Sequence, residues 1–141
     1  MGLGKEIEVQ KQAAEFIRTL EMELEELQKT QRHLGWARRN AVYDHVNADY
    51  TLQEKVLTSK YKWEQITFKC NVLQGVLKLL LPHRDIYGLY DIKGMREELE
   101  SLIKLAEQKD EFEIAELISD CLNHFLMEVT MEKGIVRLGG D

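Results

Sequence analysis

Apolar residues recur along most of the chain at alternating steps of three and four, the spacing that keeps side chains on one side of an α-helix. The densest stretch is 63–82, WEQITFKCNVLQGVLKLLLP, where Trp63, Ile66, Cys70, Leu73, Leu77 and Leu80 continue a seam begun by Leu52, Val56 and Ser59. A second set, Phe68, Val72, Val76, Leu79 and Leu81, lies on other sides. A helix of this kind is expected to be covered on more than one side. Upstream, Ile17 and Leu24 occupy the first core position of a heptad, and Ala13, Leu20, Leu27 and Leu34 the second. That is a coiled-coil-like seam. The next first-core positions hold Gln31, Arg38 and His45, so the pairing partner of this helix is expected to change or end near Gln31.

The breaks in the pattern set the element boundaries. The first helix is predicted over 5–46. Asn47 and Asp49 favour a turn, and Thr51 followed by Glu54 reads as a capping box opening a second helix over 51–81. The shift in seam phase between the two helices also fits a four-residue stutter in one continuous helix; the turn is the preferred reading. Pro82 stops the second helix. The loop 82–91 contains Ile86, Tyr87, Leu89 and Tyr90 and is predicted to fold back on the hairpin of the first two helices. Asp91 is placed to cap a third helix over 92–108, with Met95, Leu99, Leu102, Ile103 and Ala106 inside. After a turn at Lys109 and Asp110, a fourth helix over 111–132 offers Phe112, Ala115, Ile118, Leu122, Phe125 and Val129 as its core stripe. Gly134 follows it as a stop, and 133–141 form a tail. The expectation is an all-α single domain: a long antiparallel, coiled-coil-like αα-hairpin plus a C-terminal helical pair, resembling a four-helix bundle.

Composition agrees with that architecture. The 141 residues are 44% apolar and 31% charged with one proline, and few breakers favour long helices. Charged and amide residues, among them Lys69, Gln74 and Lys78, interrupt the apolar run every few positions, so no membrane partner is expected. The start, MGLGKEIEVQK, lacks the apolar core of a secretion signal, and Glu6 stands where N-myristoylation expects Ser or Thr. Cys70 and Cys121 lie on apolar helical faces and are read as reduced. A cytoplasmic location follows as the expectation. The net charge of −6 is unevenly spread: residues 1–28 carry −4, 29–84 carry +6 and 85–141 carry −8.

One set of residues stands out as candidate chemistry. Lys29, Arg32, Trp36, Arg39 and Tyr43 interleave cations and aromatics on the side of the first helix opposite the leucines. Such a stripe either fills a second internal interface or binds a partner, since Trp, Tyr and Arg dominate binding hot spots. Ile17, Leu20, Leu24 and Leu27, with Phe68, Val72, Val76 and Leu79, are the residues expected to carry self-association. On the fourth helix Glu116, Asp120, His124 and Glu128 share one side and could ligate a metal, yet a solvated face has the same appearance. The paired acids of all-α nucleotide pyrophosphatases, EExxE and then ExxD, are broken here at Ser101 and Ser119. GxSxG, P-loop, GxGxxG and HExxH motifs are also absent. No catalytic, cofactor-binding or metal residue is therefore assigned, and no cofactor is expected.

The functional expectation is a non-enzymatic intracellular helical interaction protein. It forms a homo-oligomer and binds another macromolecule, a protein foremost, as an adaptor or as an inhibitor of the kind that phages and mobile elements encode. The alternative is nucleic-acid binding through the basic middle segment, and a second alternative is a metal-dependent all-α nucleotide hydrolase.

Overall fold

The computed structural model of the chain describes residues 2–127. It is all-α, with α1 at Gly2–Asn47, α2 at Gln53–Leu80, α3 at Ile92–Gln108 and α4 at Phe112–Phe125. Leu126 and Met127 continue α4 as a wider π turn. The expected end of the fourth helix at 132, the core assignment of Val129, the stop at Gly134 and the tail 133–141 lie outside the described residues. Within 2–127 the chain clusters into two compact units, one made of 2–21 and 74–127 and the other of 22–73.

The second unit is the antiparallel hairpin formed by the later part of α1 and the earlier part of α2. Its register is fixed by Asp44 to Lys55 at 2.9 Å, Arg38 over Trp63 at 4.8 Å and Gln31 to Thr67 at 2.9 Å. Residue numbers fall on α2 as they rise on α1, as an antiparallel pair requires. The seam of α2 is as expected: Leu52, Val56, Ser59, Trp63 and Ile66 are half-buried, and Cys70 and Leu73 are buried. The expectation that the pairing partner of α1 changes or ends near Gln31 is corrected. Each polar core position is matched within the hairpin: Gln31 Nε2 donates to Thr67 Oγ1, the Arg38 guanidinium covers the Trp63 ring, and His45 Nδ1 accepts from the Leu52 N–H at 3.0 Å. Ala41, in phase with Leu34, is buried between Arg38 and His45.

A turn does separate the two helices, but not with the capping box. Asp49 and Tyr50 both take left-handed backbone, and the Tyr50 N–H reaches the His45 carbonyl at 2.7 Å to close α1. Thr51 turns its hydroxyl back to the Ala48 carbonyl at 2.7 Å, and the Leu52 amide, just ahead of α2, is served by His45.

The first unit holds the larger core. Ala13, Phe16, Ile17 and Leu20 from α1 are buried in it, as are Val76, Leu77 and Leu80 from α2, Met95, Leu99 and Ala106 from α3, and Ala115, Ile118 and Phe125 from α4. Phe16 and Phe125 meet edge to face, with centroids 5.0 Å apart. Each large side chain fully removed from water contributes roughly 1.5–3 kcal/mol. Phe16 lies beside the heptad seam rather than on it, and α4 is what covers it. Phe112, expected inside, is instead 63% exposed at the start of α4.

Pro82 sits in a 3-10 turn, Leu81–His83, that follows α2 directly. Asp91 caps α3 as expected, its Oδ1 accepting from the Gly94 N–H at 3.0 Å. The turn from α3 to α4 closes through left-handed Asp110, with the Glu111 N–H bonded to the Ala106 carbonyl at 2.8 Å.

Candidate functional site

The aromatic and basic stripe belongs wholly to the hairpin unit. Because Leu24, Leu27, Gln31, Leu34, Arg38, Ala41 and His45 take the side of α1 facing α2, the residues a half-turn away must face outward. Lys29, Arg32, Trp36, Arg39 and Tyr43 are all exposed. Trp36 keeps 64% of its surface and Tyr43 69%, so neither fills a second internal interface among the described residues. Arg39 does lie along its neighbour, its guanidinium carbon 5.4 Å from the Trp36 ring centre. Lys29 pairs loosely with Glu26 at 3.6 Å, an exposed contact worth little in water. Val42, Val46 and Tyr50 extend the exposed apolar surface toward the turn.

A separate shallow cleft of about 450 Å³ opens between α1 and α2, floored by Leu34 and Ala37 and rimmed by Lys55, Thr58 and Lys62. It includes no stripe residue, and Lys55 is already engaged with Asp44.

The residues expected to carry self-association divide by depth. Ile17, Leu20 and Val76 are buried inside the first unit, where their apolar surface is spent on the chain's own core. Leu24, Leu27, Phe68 and Val72 are half-buried, and Leu79 is 39% exposed.

The described members of the acidic side of α4 do not gather into a metal centre. Glu116 and Asp120 are exposed, whereas His124 turns inward with its ring 5.5 Å from that of Phe16. Its Nε2 is buried without a hydrogen-bond partner, as is Oε1 of Gln12. Glu128 lies outside the described residues. Among the described residues no group of three His, Cys, Asp or Glu side chains could hold a metal ion, and no helix is long and apolar enough to cross a membrane. Among the described residues His83 joins two acids, its Nε2 3.1 Å from Glu98 and its Nδ1 3.8 Å from Asp91. Cys70 is a buried thiol, and desolvation by burial raises its pKa above the ordinary value. A thiol held protonated is a poor nucleophile, so Cys70 serves packing rather than chemistry.

The sequence located the stripe but not the preset Arg39–Trp36 stack, which depends on rotamers. Comparison of the chain with protein-family models, with curated proteins and with solved structures finds no match.

Proposed function

We propose that the chain is a non-enzymatic helical interaction protein whose hairpin binds a partner protein through the stripe Lys29, Arg32, Trp36, Arg39 and Tyr43. The observation that carries this reading is the exposure of Trp36 and Tyr43 on a helix whose opposite seam is already engaged with α2. Large aromatics left in water on a rigid helix cost little entropy to dock, and Arg39 stacked on Trp36 holds one ready-made edge of the surface. A helix presenting such anchors at steps of three and four fits a groove on another protein.

Placing a photo-crosslinking residue at position 36 in the native host identifies the partner, and calorimetry with the purified pair then measures its affinity. Replacing Trp36 and Arg39 together by Ala should weaken binding by about 30-fold or more, the loss of one hot spot. Unchanged affinity with helicity retained removes the stripe from the function. Capture of single-stranded nucleic acid instead, with affinity falling steeply as salt rises, would transfer the stripe to the nucleic-acid reading. Sedimentation equilibrium at micromolar concentration decides whether a second copy is bound. Of the residues expected to carry self-association, Leu24, Leu27, Phe68, Val72 and Leu79 keep surface for it.

A further inference from the structure

The connection from α2 to α3 is a small, densely hydrogen-bonded hairpin rather than a slack loop. Arg84 and Tyr90 form an antiparallel bridge, and the Asp85 N–H donates to the Leu89 carbonyl at 2.8 Å. At the tip the Gly88 N–H closes a turn on the Asp85 carbonyl at 3.0 Å, and Gly88 itself sits at φ +82°. That is a three-residue turn whose last position must be left-handed. The Asp85 carboxylate accepts from the amides of both Tyr87 and Leu89, at 2.8 and 2.9 Å. The base is clamped as well: the Gln10 side-chain amide exchanges two hydrogen bonds with the Tyr90 peptide, at 2.7 and 2.9 Å, as a neighbouring strand would. The Arg84 guanidinium lies over the Tyr90 ring.

All of this bonding holds up two apolar side chains that stand largely in water, so the expectation that they fold back on the helical hairpin is corrected. Ile86 is 90% exposed and Tyr87 81%, with Leu89 half-exposed beside them. A chain that merely had to connect two helices gains nothing from fixing so short a segment this thoroughly, because each ordered residue costs conformational entropy.

We infer that the Ile86–Tyr87 tip is a docking element that inserts into an apolar pocket on a partner protein, a contact separate from the stripe on α1. The tip is convex and narrow, so what receives it is concave. Its order is already in place, so insertion loses little freedom, and the tyrosine supplies the large anchor. The local charge argues for protein rather than lipid or nucleic acid. Arg84, Asp85 and Asp91 together carry one net negative charge, and the one cation among them is stacked on Tyr90, so the loop 84–91 presents no cluster of cations to phosphates.

Two measurements on the whole chain test this. Backbone 15N order parameters of residues 85–89 should match those of the helices, near 0.85; values below about 0.6 show a mobile loop and overturn the inference. Photo-crosslinking residues at positions 86 and 87, with exposed Lys104 as a control position, should give one adduct of discrete mass with a different protein. With that protein purified, Ile86→Ser together with Tyr87→Ser should weaken binding at least about 30-fold. Gly88→Ala keeps both side chains but strains the left-handed turn and crowds Arg84, and should weaken it several-fold. Adducts only with lipid, nucleic acid or a second copy, no discrete adduct, or an unchanged Kd in the double variant overturn the inference. Each measurement is repeated with Trp36 and Arg39 replaced by Ala, so failure of the stripe reading is seen separately.

Discussion

A methyl group added at Gly94 and one added at Gly35 have opposite consequences, although both glycines lie in helices. At Gly94 the new carbon would overlap the Asp91 carboxylate and stand 2.7 Å from Nδ1 of His83, so the cap of α3 and the position of His83 cannot both survive. Gly94→Ala should lower stability by about 1–2 kcal/mol, the loss of an N-cap, and a denaturant titration reads it as a reduced midpoint with unchanged slope. At Gly35 the same carbon would meet Trp63 Nε1 at 3.5 Å, an ordinary contact. Gly35→Ala should therefore raise the midpoint, by about 1 kcal/mol of helix propensity and lost unfolded-state freedom. A fall in the Gly35→Ala midpoint would mean that the Trp63 indole cannot accept even a methyl group there.

Among elements, α1 shows how far periodicity can be trusted. Its apolar seam, the break near residue 48, the stop at Pro82 and the full extent of α3 were legible, because each depends on spacing or on local backbone chemistry. The fate of Gln31, Arg38 and His45 was not. Whether a polar core position ends a pairing depends on what the opposite helix offers at the same level, and that is a property of register. Phe16 was missed and Phe112 misplaced for a related reason: both fates are set by where a non-adjacent helix lies. The stripe was readable as residues, whereas its exposure needed the fold. Thr67→Val tests the register argument, since it leaves Gln31 half-buried with no acceptor for its amide. It should cost about 1–3 kcal/mol, and Gln31→Leu in the same chain should recover most of that loss. Additive costs in this double-mutant cycle would show that the two side chains do not interact.

At the scale of the whole molecule the two units rest on unequal cores. Among the described residues the first unit buries aromatic, aliphatic and methionine side chains from all four helices, while the buried side chains of the hairpin are Ala41, Cys70 and Leu73. Local opening follows buried apolar surface. Hydrogen exchange should thus show amides of 30–66 opening at lower free energy than those of 95–106 and 115–118, with limited proteolysis cutting first near the turn at 48–52. Equal protection throughout would mean that the hairpin borrows stability from a covering partner or copy. A surface that recognises partners would then lie on the less stable part of the molecule, where ordering on binding can be measured as slowed exchange.

The pairing of Gln10 with Tyr90 also sets an order of events. Eighty residues separate the two, whereas every bond at the loop tip spans four residues or fewer. At roughly 5–20 residues per second of synthesis, several seconds pass between the appearance of Gln10 and that of Tyr90. The tip can curl as soon as it is made, but its base is secured only when distant parts of the chain have come together, late along the folding route. Gln10→Ala should accordingly speed unfolding and leave the folding rate almost unchanged in stopped-flow measurements. A slowed folding rate would instead make this side-chain amide part of the nucleus, and the loop one of the first long-range features the chain acquires.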